Sequence, residues 1–364
     1  MADRYDALRE VAKAQGLDAI ALVPGANFAR LFNKEFHQNE RPLVVVIPAK
    51  GKPAAIVPNL ELASFAALSF EGNVYDWKDQ TGYQQAFDAL LQQQAINSLG
   101  VEGQVMRVFV DQAFRQGAPD LKIIDAQRAI ASLRICKNSE EIAAIRNAIS
   151  ISETALANTI DKISIGMSEK AIESLLVQQL FAAGAEDFAF PPIVAANTNS
   201  AQPHAHSRAD YKVQAGDALL IDFGARAGGV CADITRTFFV GHCSDHSAEV
   251  YNTVLAANLA GIASARPDVT AHDVDDATTI VLEQSPFADR IRHKTGHGLG
   301  RDIHEDPYIM RGNNESLHPG MVFTIEPGLY ELSDFGVRIE DDVLITETGC
   351  EAMTTFDKNL TIIA

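Results

Sequence analysis

The sequence predicts a two-domain protein: a smaller α/β domain over residues 1–125, followed by an α+β domain over 134–364. Three observations support this fold class. The 364 residues are 47% apolar and 21% charged, which is enough apolar material for two cores and too much for a disordered chain. Short apolar runs alternate with helical patterns in the first third. Later, long helical patterns precede grouped strand patterns, which favours α+β over a doubly wound parallel sheet.

In the first domain, Leu8, Val11 and Ala12 recur at helical spacing and predict a helix over 2–15. The apolar runs that follow have the lengths and turn residues typical of strands and short helices. In chain order they predict a strand over 19–23, a hairpin of strands over 43–47 and 54–57, a helix over 84–98 and a strand over 105–110.

The second domain begins after a boundary predicted near 118–135, where Pro119 and Asp120 interrupt the pattern. Asn138 or Ser139 is the expected N-cap of a long helix, because two glutamates follow in its first turn. Later patterns predict a helix from 168 to 184, a hairpin of strands over 218–223 and 230–239, helices near 245–265 and 271–284, and strands over 321–326 and 336–345.

Charge and cysteine content exclude several classes of protein. Thirty Lys and Arg against 48 Asp and Glu give a net charge of −18, so we expect no nucleic-acid partner. No run approaches the roughly 20 apolar residues of a membrane span, and the first ten residues lack the apolar core of a secretory signal. The four cysteines show no C-x-x-C pair and fit free thiols. We therefore expect a cytoplasmic protein with no membrane partner.

Four acidic residues stand inside apolar strand patterns of the second domain: Asp222, Asp233, Glu326 and Glu340. Burying a carboxylate without counter-charge costs several kcal/mol, so four in one domain need neutralisation. Arg236 and Arg338 are candidates to neutralise one or two of them. A pair of divalent cations would neutralise all four.

His297 supplies a fifth candidate ligand, in the glycine-flanked segment HKTGHGLG over 293–300. Two Asp, two Glu and one His form an oxygen-rich set that suits Mn²⁺, Co²⁺, Fe²⁺ or Zn²⁺. Each feature alone has an ordinary explanation: an acid at a hairpin end, a glycine-rich turn, or, for His204 and His206, a pair of loop histidines.

The order of these features resembles the metallopeptidases of the creatinase/methionine aminopeptidase family, of the M24 type. Asp222 and Asp233 come first, then the glycine-flanked His297, then Glu326-Pro327-Gly328, and finally Arg338-Ile339-Glu340-Asp341-Asp342. The resemblance covers about 134–364, and the junction LRICKNSEEI over 133–142 is most similar to Xaa-Pro dipeptidase (prolidase) and aminopeptidase P. It implies an α+β pita-bread catalytic domain after a creatinase-type N-terminal α/β domain, assembled as a homodimer.

The resemblance also implies a metal centre with two divalent ions per subunit, Mn²⁺ first and Co²⁺, Zn²⁺ or Fe²⁺ as alternatives. Asp222 would bind one ion, while Asp233 and Glu340 would bridge both. His297 and Glu326 would complete the shell of the second ion.

Further residues match positions with a role in catalysis. His204 would lie beside the substrate, and His304 would stabilise the tetrahedral oxyanion. Glu326 would carry a proton, and Arg338 would orient a bridging carboxylate or meet the substrate. Phe190 and Tyr308 are the expected walls of a proline pocket.

The implied reaction is hydrolysis of the bond before proline in a short peptide with proline at the second position. That bond lacks an amide N–H, and a metal pair that polarises the carbonyl does not need one. Many prolidases carry an arginine where this chain has Tyr308, so the dipeptidase and aminopeptidase readings stay open together. The alternatives are a hydrolase or lyase of the same fold acting on a non-peptide metabolite, and a non-catalytic binding module.

Overall fold

The computed structural model describes residues 3–364, so the first two residues of the predicted domain 1–125 lie outside the described part. The chain divides into two compact units, Met1–Arg134 and Ile135–Ala364. Both units combine helices with sheets, and the predicted mixture of α and β structure is confirmed.

The first unit contains one six-stranded sheet in the order β4-β3-β2-β1-β5-β6. β1, β2 and β3 are antiparallel neighbours, whereas β4, β5 and β6 each run parallel to the strand beside them. The strands are β1 Ala19–Leu22, β2 Val44–Pro48, β3 Ala54–Pro58, β4 Asn73–Trp77, β5 Ser98–Val101 and β6 Lys122–Asp125. The helices are α1 Asp6–Ala14, α2 Ala26–Phe32, α3 Leu62–Ala66, α4 Gln84–Gln93, α5 Val108–Gly117 and α6 Gln127–Ala131.

The strand predicted over 105–110 is wrong, because helix α5 begins within that run. Val110, Ala113 and Phe114 follow helical spacing and are buried on one face of α5. The strand of this region is β5, which lies where the helix predicted over 84–98 was expected to end.

The second unit begins with long helices and continues mainly in short strands. The helices are α7 Ser139–Ile160, α8 Glu169–Ala183, α9 Asp245–Ser264 and α10 Ala271–Glu283. The strands are β7 Asp187–Phe188, β8 Ile193–Ala196, β9 Ala218–Phe223, β10 Ala225–Ala227, β11 Val230–Cys231, β12 Ile234–Val240, β13 Gly296–Gly298, β14 Glu305–Ile309, β15 Val322–Ile325, β16 Gly328–Tyr330, β17 Gly336–Arg338, β18 Asp341–Ile345, β19 Cys350–Ala352 and β20 Ile362–Ile363.

Local signals explain where the helices of this unit begin and end. Asn138 caps α7: its side chain accepts a hydrogen bond from the backbone N–H of Glu141, whose carboxylate accepts one from Asn138 N–H. Ser168 caps α8 with a single bond, since its Oγ accepts from the backbone N–H of Ala171, and Gly184 ends the helix at a φ of 106°.

Two sheets and two helix pairs build the core of the second unit. The sheet β20-β12-β9-β8 packs with α7 and α8 around one apolar cluster. The sheet β14-β13-β15-β18-β19 packs around another with α10, which lies against α9. Among residues 3–364, no helix combines the length and the apolar character required to cross a membrane.

Three of the acids lie where the observed strands are interrupted or end, whereas the sequence predicts them inside strands. Asp233 lies in a gap between β11 and β12, Glu326 directly after β15, and Glu340 between β17 and β18. Gly224 makes the first break possible, since a Cβ there would lie 1.7 Å from the carbonyl oxygen of Ala232. The observed strands are therefore shorter than the predicted ones at these positions.

Candidate metal centre

A cavity of about 360 Å³ in the second unit contains the acidic residues singled out above. Its volume lies near the lower end of the range for small-molecule sites, about 300–1,000 Å³. The lining residues are Phe190, Ile193, Pro203, His204, Asp222, Asp233, His293, Lys294, His297, Ile303, His304, Glu326, Arg338 and Glu340.

The strands bring the four carboxylates to this cavity from both sheets. Asp222 lies in β9 opposite Thr235 of β12, and Thr235 also forms an isolated bridge with Glu340. Asp342 fixes the backbone of Asp233, since its Oδ2 accepts a hydrogen bond from Asp233 N–H at 3.0 Å. Residues far apart in the chain therefore converge through the strand register.

His297 enters the cavity from β13 because glycines flank it. A Cβ at Gly296 would lie 1.9 Å from Thr324 O, and one at Gly298 would lie 2.3 Å from Asp306 O. The neighbouring strands can approach β13 this closely only because both positions lack a side chain. The glycine run is thus a packed strand and not a flexible turn.

The hydrogen bonds of His297 present one ring nitrogen to the acids. Nδ1 donates to the carbonyl oxygen of Gly298 at 3.1 Å, which leaves Nε2 with its lone pair. Nε2 lies 3.4 Å from Glu326 Oε1 and 3.7 Å from Asp233 Oδ2. Burial, followed by the neighbouring His304, lowers the pKa of His297 to about 3, so the ring is neutral and suited to a metal.

The carboxylates are buried with too little counter-charge. Asp222, Asp233 and Glu340 are 8%, 4% and 2% exposed. Burial and the neighbouring carboxylates raise the pKa of Asp233 and Glu340 well above the usual range. Burial also raises the pKa of Glu326 to about 7. Because burial and mutual repulsion destabilise the ionised carboxylates, such a cluster favours the binding of protons or of a cation.

The donor atoms fit a divalent cation. One ligand atom each from Asp233, His297 and Glu340 lies within 4.8 Å of the other two. Within the described part of the chain, the buried Oδ1 atoms of Asp222 and Asp233 have no hydrogen-bond partner. Carboxylate oxygens with one neutral imidazole are the donors that Mn²⁺, Fe²⁺, Co²⁺ and Zn²⁺ accept.

The two arginine candidates have different partners. Arg338 pairs with Asp222 Oδ2, and it also donates to Thr235 Oγ1 at 3.1 Å and to Tyr330 OH at 2.8 Å. The expectation that Arg236 neutralises one of the four acids is wrong, because Arg236 donates to Asp341 Oδ1 at 2.8 Å instead. One arginine therefore faces four carboxylates.

Three further histidines line the cavity, and two of them were predicted. His204 follows a short 3₁₀ helix, Asn197–Ala201. The ring of His304 lies 4.1 Å from that of His297, centroid to centroid, in an edge-to-face arrangement. Burial is the main cause that lowers the pKa of His304.

Sequence reasoning missed His293. Its Nδ1 donates to Lys294 O at 2.8 Å, and its Nε2 accepts from Tyr330 OH at 2.7 Å. Burial lowers the pKa of His293 to about 4. The available signal was its spacing of four residues from His297, since even spacing in an extended segment places side chains on one side.

The two residues expected as pocket walls have different positions. Phe190 lines the cavity together with Ile193, Pro203 and Ile303. Tyr308 lies outside the lining set, opposite His297 in the β13–β14 register, with Lys294 Nζ 5.4 Å from its ring centroid. Arg311, the arginine three residues after Tyr308 in the chain, is bound to Asp276 and Glu283 on α10.

A buried glutamate supports the segment that carries His204. Glu169, 0% exposed, accepts hydrogen bonds from Ala196 N–H at 2.8 Å and from Asn199 Nδ2 at 3.0 Å. It also accepts from the backbone N–H of Arg208 at 2.6 Å and from its guanidinium at 2.7 Å. Both sides of His204 are thus attached to α8.

Comparison with known proteins connects both units to one group. Residues 143–347 match metallopeptidase family M24, and residues 4–136 match the creatinase/prolidase N-terminal domain. The Xaa-Pro dipeptidase of Pyrococcus furiosus is 36% identical over 264 residues, which are 72% of this chain and 75% of that protein.

Solved structures resemble the whole chain. The prolidase of Thermococcus sibiricus has a TM-score of 0.93 at 30% identity, with 100% of both chains covered. The X-Pro aminopeptidase of Thermotoga maritima has a TM-score of 0.84 at 29% identity, again with 100% of both chains covered. These matches confirm the predicted fold, a pita-bread domain after a creatinase-type α/β domain.

Proposed function

Since this chain is a metallopeptidase that belongs to family M24, we propose that it hydrolyses the bond before proline in dipeptides or at the N-terminus of short peptides. The observation that carries the proposal is the convergence of buried carboxylates and the neutral His297 in one small cavity. Relatives named Xaa-Pro dipeptidase and prolidase support the choice of substrate.

We assign five residues to a centre of two divalent cations, with Mn²⁺ the first candidate. Asp222 would bind one cation, Asp233 and Glu340 both, and His297 and Glu326 the other. When bound, the cations supply Lewis acidity, which polarises a peptide carbonyl and makes water a stronger acid. The free Oδ1 atoms of Asp222 and Asp233 support this assignment.

The remaining polar residues would act on the substrate or orient the ligands. His304, beside His297, would donate a hydrogen bond to the oxyanion that forms at the scissile carbonyl. His204 would contact the substrate, and Glu326 would carry a proton to the leaving proline nitrogen. Arg338 would orient Asp222 directly and Glu340 through Thr235.

Proline suits the apolar part of the cavity. Phe190, Ile193, Pro203 and Ile303 offer a surface for the pyrrolidine ring, which carries no N–H that needs an acceptor. The small volume favours short substrates over folded proteins.

A substrate panel with Mn²⁺ tests the proposal. Ala-Pro and Ala-Pro-Ala should be cleaved and Ala-Ala should not, and a chelator should abolish both activities. Glu326→Ala should lose hydrolysis, whereas Glu347→Ala, at an exposed position outside the cavity, should retain it. Equal cleavage of Ala-Ala, or cleavage of none of the three peptides by the metal-loaded protein, would refute the proposal.

Two broader properties also belong to the proposal: a homodimer and a cytoplasmic location. Sedimentation velocity of the purified chain tests the first, since a monomer at micromolar concentration would contradict it. Fractionation of the source cells tests the second.

A further inference from the structure

Lys358, near the end of the chain, joins two buried side chains of the second unit. Its ammonium donates to Asp341 Oδ2 at 2.6 Å and to Asn258 Oδ1 at 2.9 Å. The side chain of Lys358 is 23% exposed, whereas that of Asp341 is 1% exposed. Lys358 is not among the residues that line the cavity, and the proposed reaction gives it no role. Its two contacts therefore need a separate explanation.

Asn258 connects this ammonium to the peptide bond that precedes Glu326. Asn258 lies in α9 and is 0% exposed, and its Nδ2 donates to the carbonyl oxygen of Ile325 at 3.0 Å. On the other side of the same peptide bond, the backbone N–H of Glu326 donates to Thr295 O at 2.7 Å. Because a peptide unit is planar, these two hydrogen bonds fix the plane next to which the Glu326 side chain begins.

Asp341 connects the same ammonium to the peptide bond that follows Glu340. Asp341 is the first residue of β18, and its Oδ1 accepts hydrogen bonds from Arg236 Nη2 and Thr354 Oγ1, each at 2.8 Å. Arg236 Nη1 also donates to the carbonyl oxygen of Glu340 at 2.6 Å. Lys358 binds the other carboxylate oxygen, Oδ2. The backbone at Glu340 is thus held through Asp341 and its two cationic partners.

The backbone around Lys358 is fixed independently of its ammonium. The backbone N–H of Phe356 donates to Glu153 Oε1 at 2.6 Å, and Phe356 O accepts from Arg236 Nη2 at 2.8 Å. Tyr251 OH donates to Lys358 O at 3.0 Å. Removal of the ammonium should therefore leave this segment in place and break only the link between its two acceptors.

We propose that Lys358 is a positioning residue of the metal centre, which sets the separation between Glu326 and Glu340. This inference rests on the proposed assignment of these two glutamates to the cations. The ammonium acts through Asn258 and Asp341, because it couples the backbone that carries one glutamate to the backbone that carries the other. Ligands already held within about 0.5 Å of the productive geometry bind a metal more tightly than ligands that must be ordered on binding. Lys358 supplies part of that order.

The test is calorimetric titration of the metal-free protein with Mn²⁺, together with urea unfolding of the same samples. Lys358→Met removes the charge and keeps most of the side chain, and Lys358→Gln is a second neutral variant in case the first does not fold. Lys358→Arg keeps the charge. Glu153→Gln is the control, because Glu153 holds the same segment through Thr355 and Phe356.

We expect Lys358→Met to bind Mn²⁺ about tenfold more weakly, the lower end of the loss typical of partners that orient metal ligands. Lys358→Arg should recover most of the affinity. Glu153→Gln should lower the urea midpoint and bind Mn²⁺ like the wild type.

Three results would overturn the role of Lys358 while the metal centre stands: wild-type affinity in the neutral variants, no recovery in Lys358→Arg, or an equal loss in Glu153→Gln. A wild type that binds no Mn²⁺ would refute the metal centre and this inference with it.

Discussion

Thr235 illustrates at the residue scale how one hydroxyl orients the candidate ligands. Its Oγ1 donates to Glu340 Oε2 at 2.6 Å and accepts from Arg338 Nε at 3.1 Å. Arg338 in turn binds Asp222. A hydroxyl has one proton and can accept as well, so Thr235 satisfies both neighbours at once.

Replacing Thr235 with Val should weaken metal binding, because Val keeps the shape and removes the hydroxyl. We expect a loss of about 10–100-fold in Mn²⁺ affinity, the effect typical of lost partners of metal ligands. Thr237→Val on the same strand is the matched control, since Thr237 bonds only to the backbone of Arg338. Calorimetric titration of both variants with Mn²⁺ makes the comparison, and equal affinities would contradict the role of Thr235.

Individual residues also set a limit on what the sequence predicts. The five candidate ligands all line one cavity. They were identifiable from the sequence because an acid inside an apolar strand pattern needs a counter-charge when it is buried. The sequence does not separate Arg236 from Arg338, since both lie in apolar strand patterns near acids. Only the register shows that Arg236 faces the buried Asp341 and Arg338 faces the cavity.

At the scale of elements, β13 depends on its glycines. Gly296→Ala would place a Cβ 1.9 Å from the backbone oxygen of Thr324, which cannot move without disturbing β15. We expect a loss of at least about 2 kcal/mol in the free energy of unfolding. Gly349→Ala is the control, since its Cβ would meet no atom within 4 Å. Urea unfolding of the two variants measures the difference, and similar midpoints would contradict the packing argument.

The segment between Ala196 and Arg208 depends on Glu169. Glu169→Gln would turn an amide NH₂ toward groups that already donate, so at least one buried donor loses its acceptor. We expect a loss of about 1.5–3 kcal/mol in stability. We also expect a lower kcat at unchanged Mn²⁺ content, because His204 moves and the ligands do not.

Glu173→Gln on the same helix is the control for Glu169. Glu173 pairs only with the exposed Lys170, so its loss should change stability by less than about 0.5 kcal/mol. Chemical unfolding, metal analysis and steady-state kinetics together separate the two variants. A Glu169→Gln protein with wild-type kcat would show that this attachment does not position His204.

Most helices and strands were predictable, and the exceptions have physical causes. Clear caps and periodic apolar faces predict α7, α8, α9 and α10 to within a few residues. The β-branched run at 105–110 favours a strand locally, but packing selects the helix α5. The break at Asp233 leaves no local signal, since Ala232 and Ile234 beside it are apolar, whereas Pro327 and Gly328 mark the strand end at Glu326.

At the scale of the whole molecule, four of the 48 acidic residues line one cavity of the second unit. The chain carries a net charge of −18, yet the acids of the cavity are buried and lack sufficient positive partners. Bound divalent cations would replace protons there and stabilise the native state, because the unfolded chain has no such preformed site. Composition alone predicts an acidic protein, whereas the fold shows which acids lie together at the cavity.

The metal content of the purified protein after dialysis against Mn²⁺ tests the central claim most directly. The wild type should retain two ions per chain, and Asp233→Asn at most one, because Asp233 is assigned to both ions. Asp210→Asn, at an exposed position, should retain two. Less than one ion in the wild type, or two ions in Asp233→Asn, would contradict the assignment of these residues to a dinuclear centre.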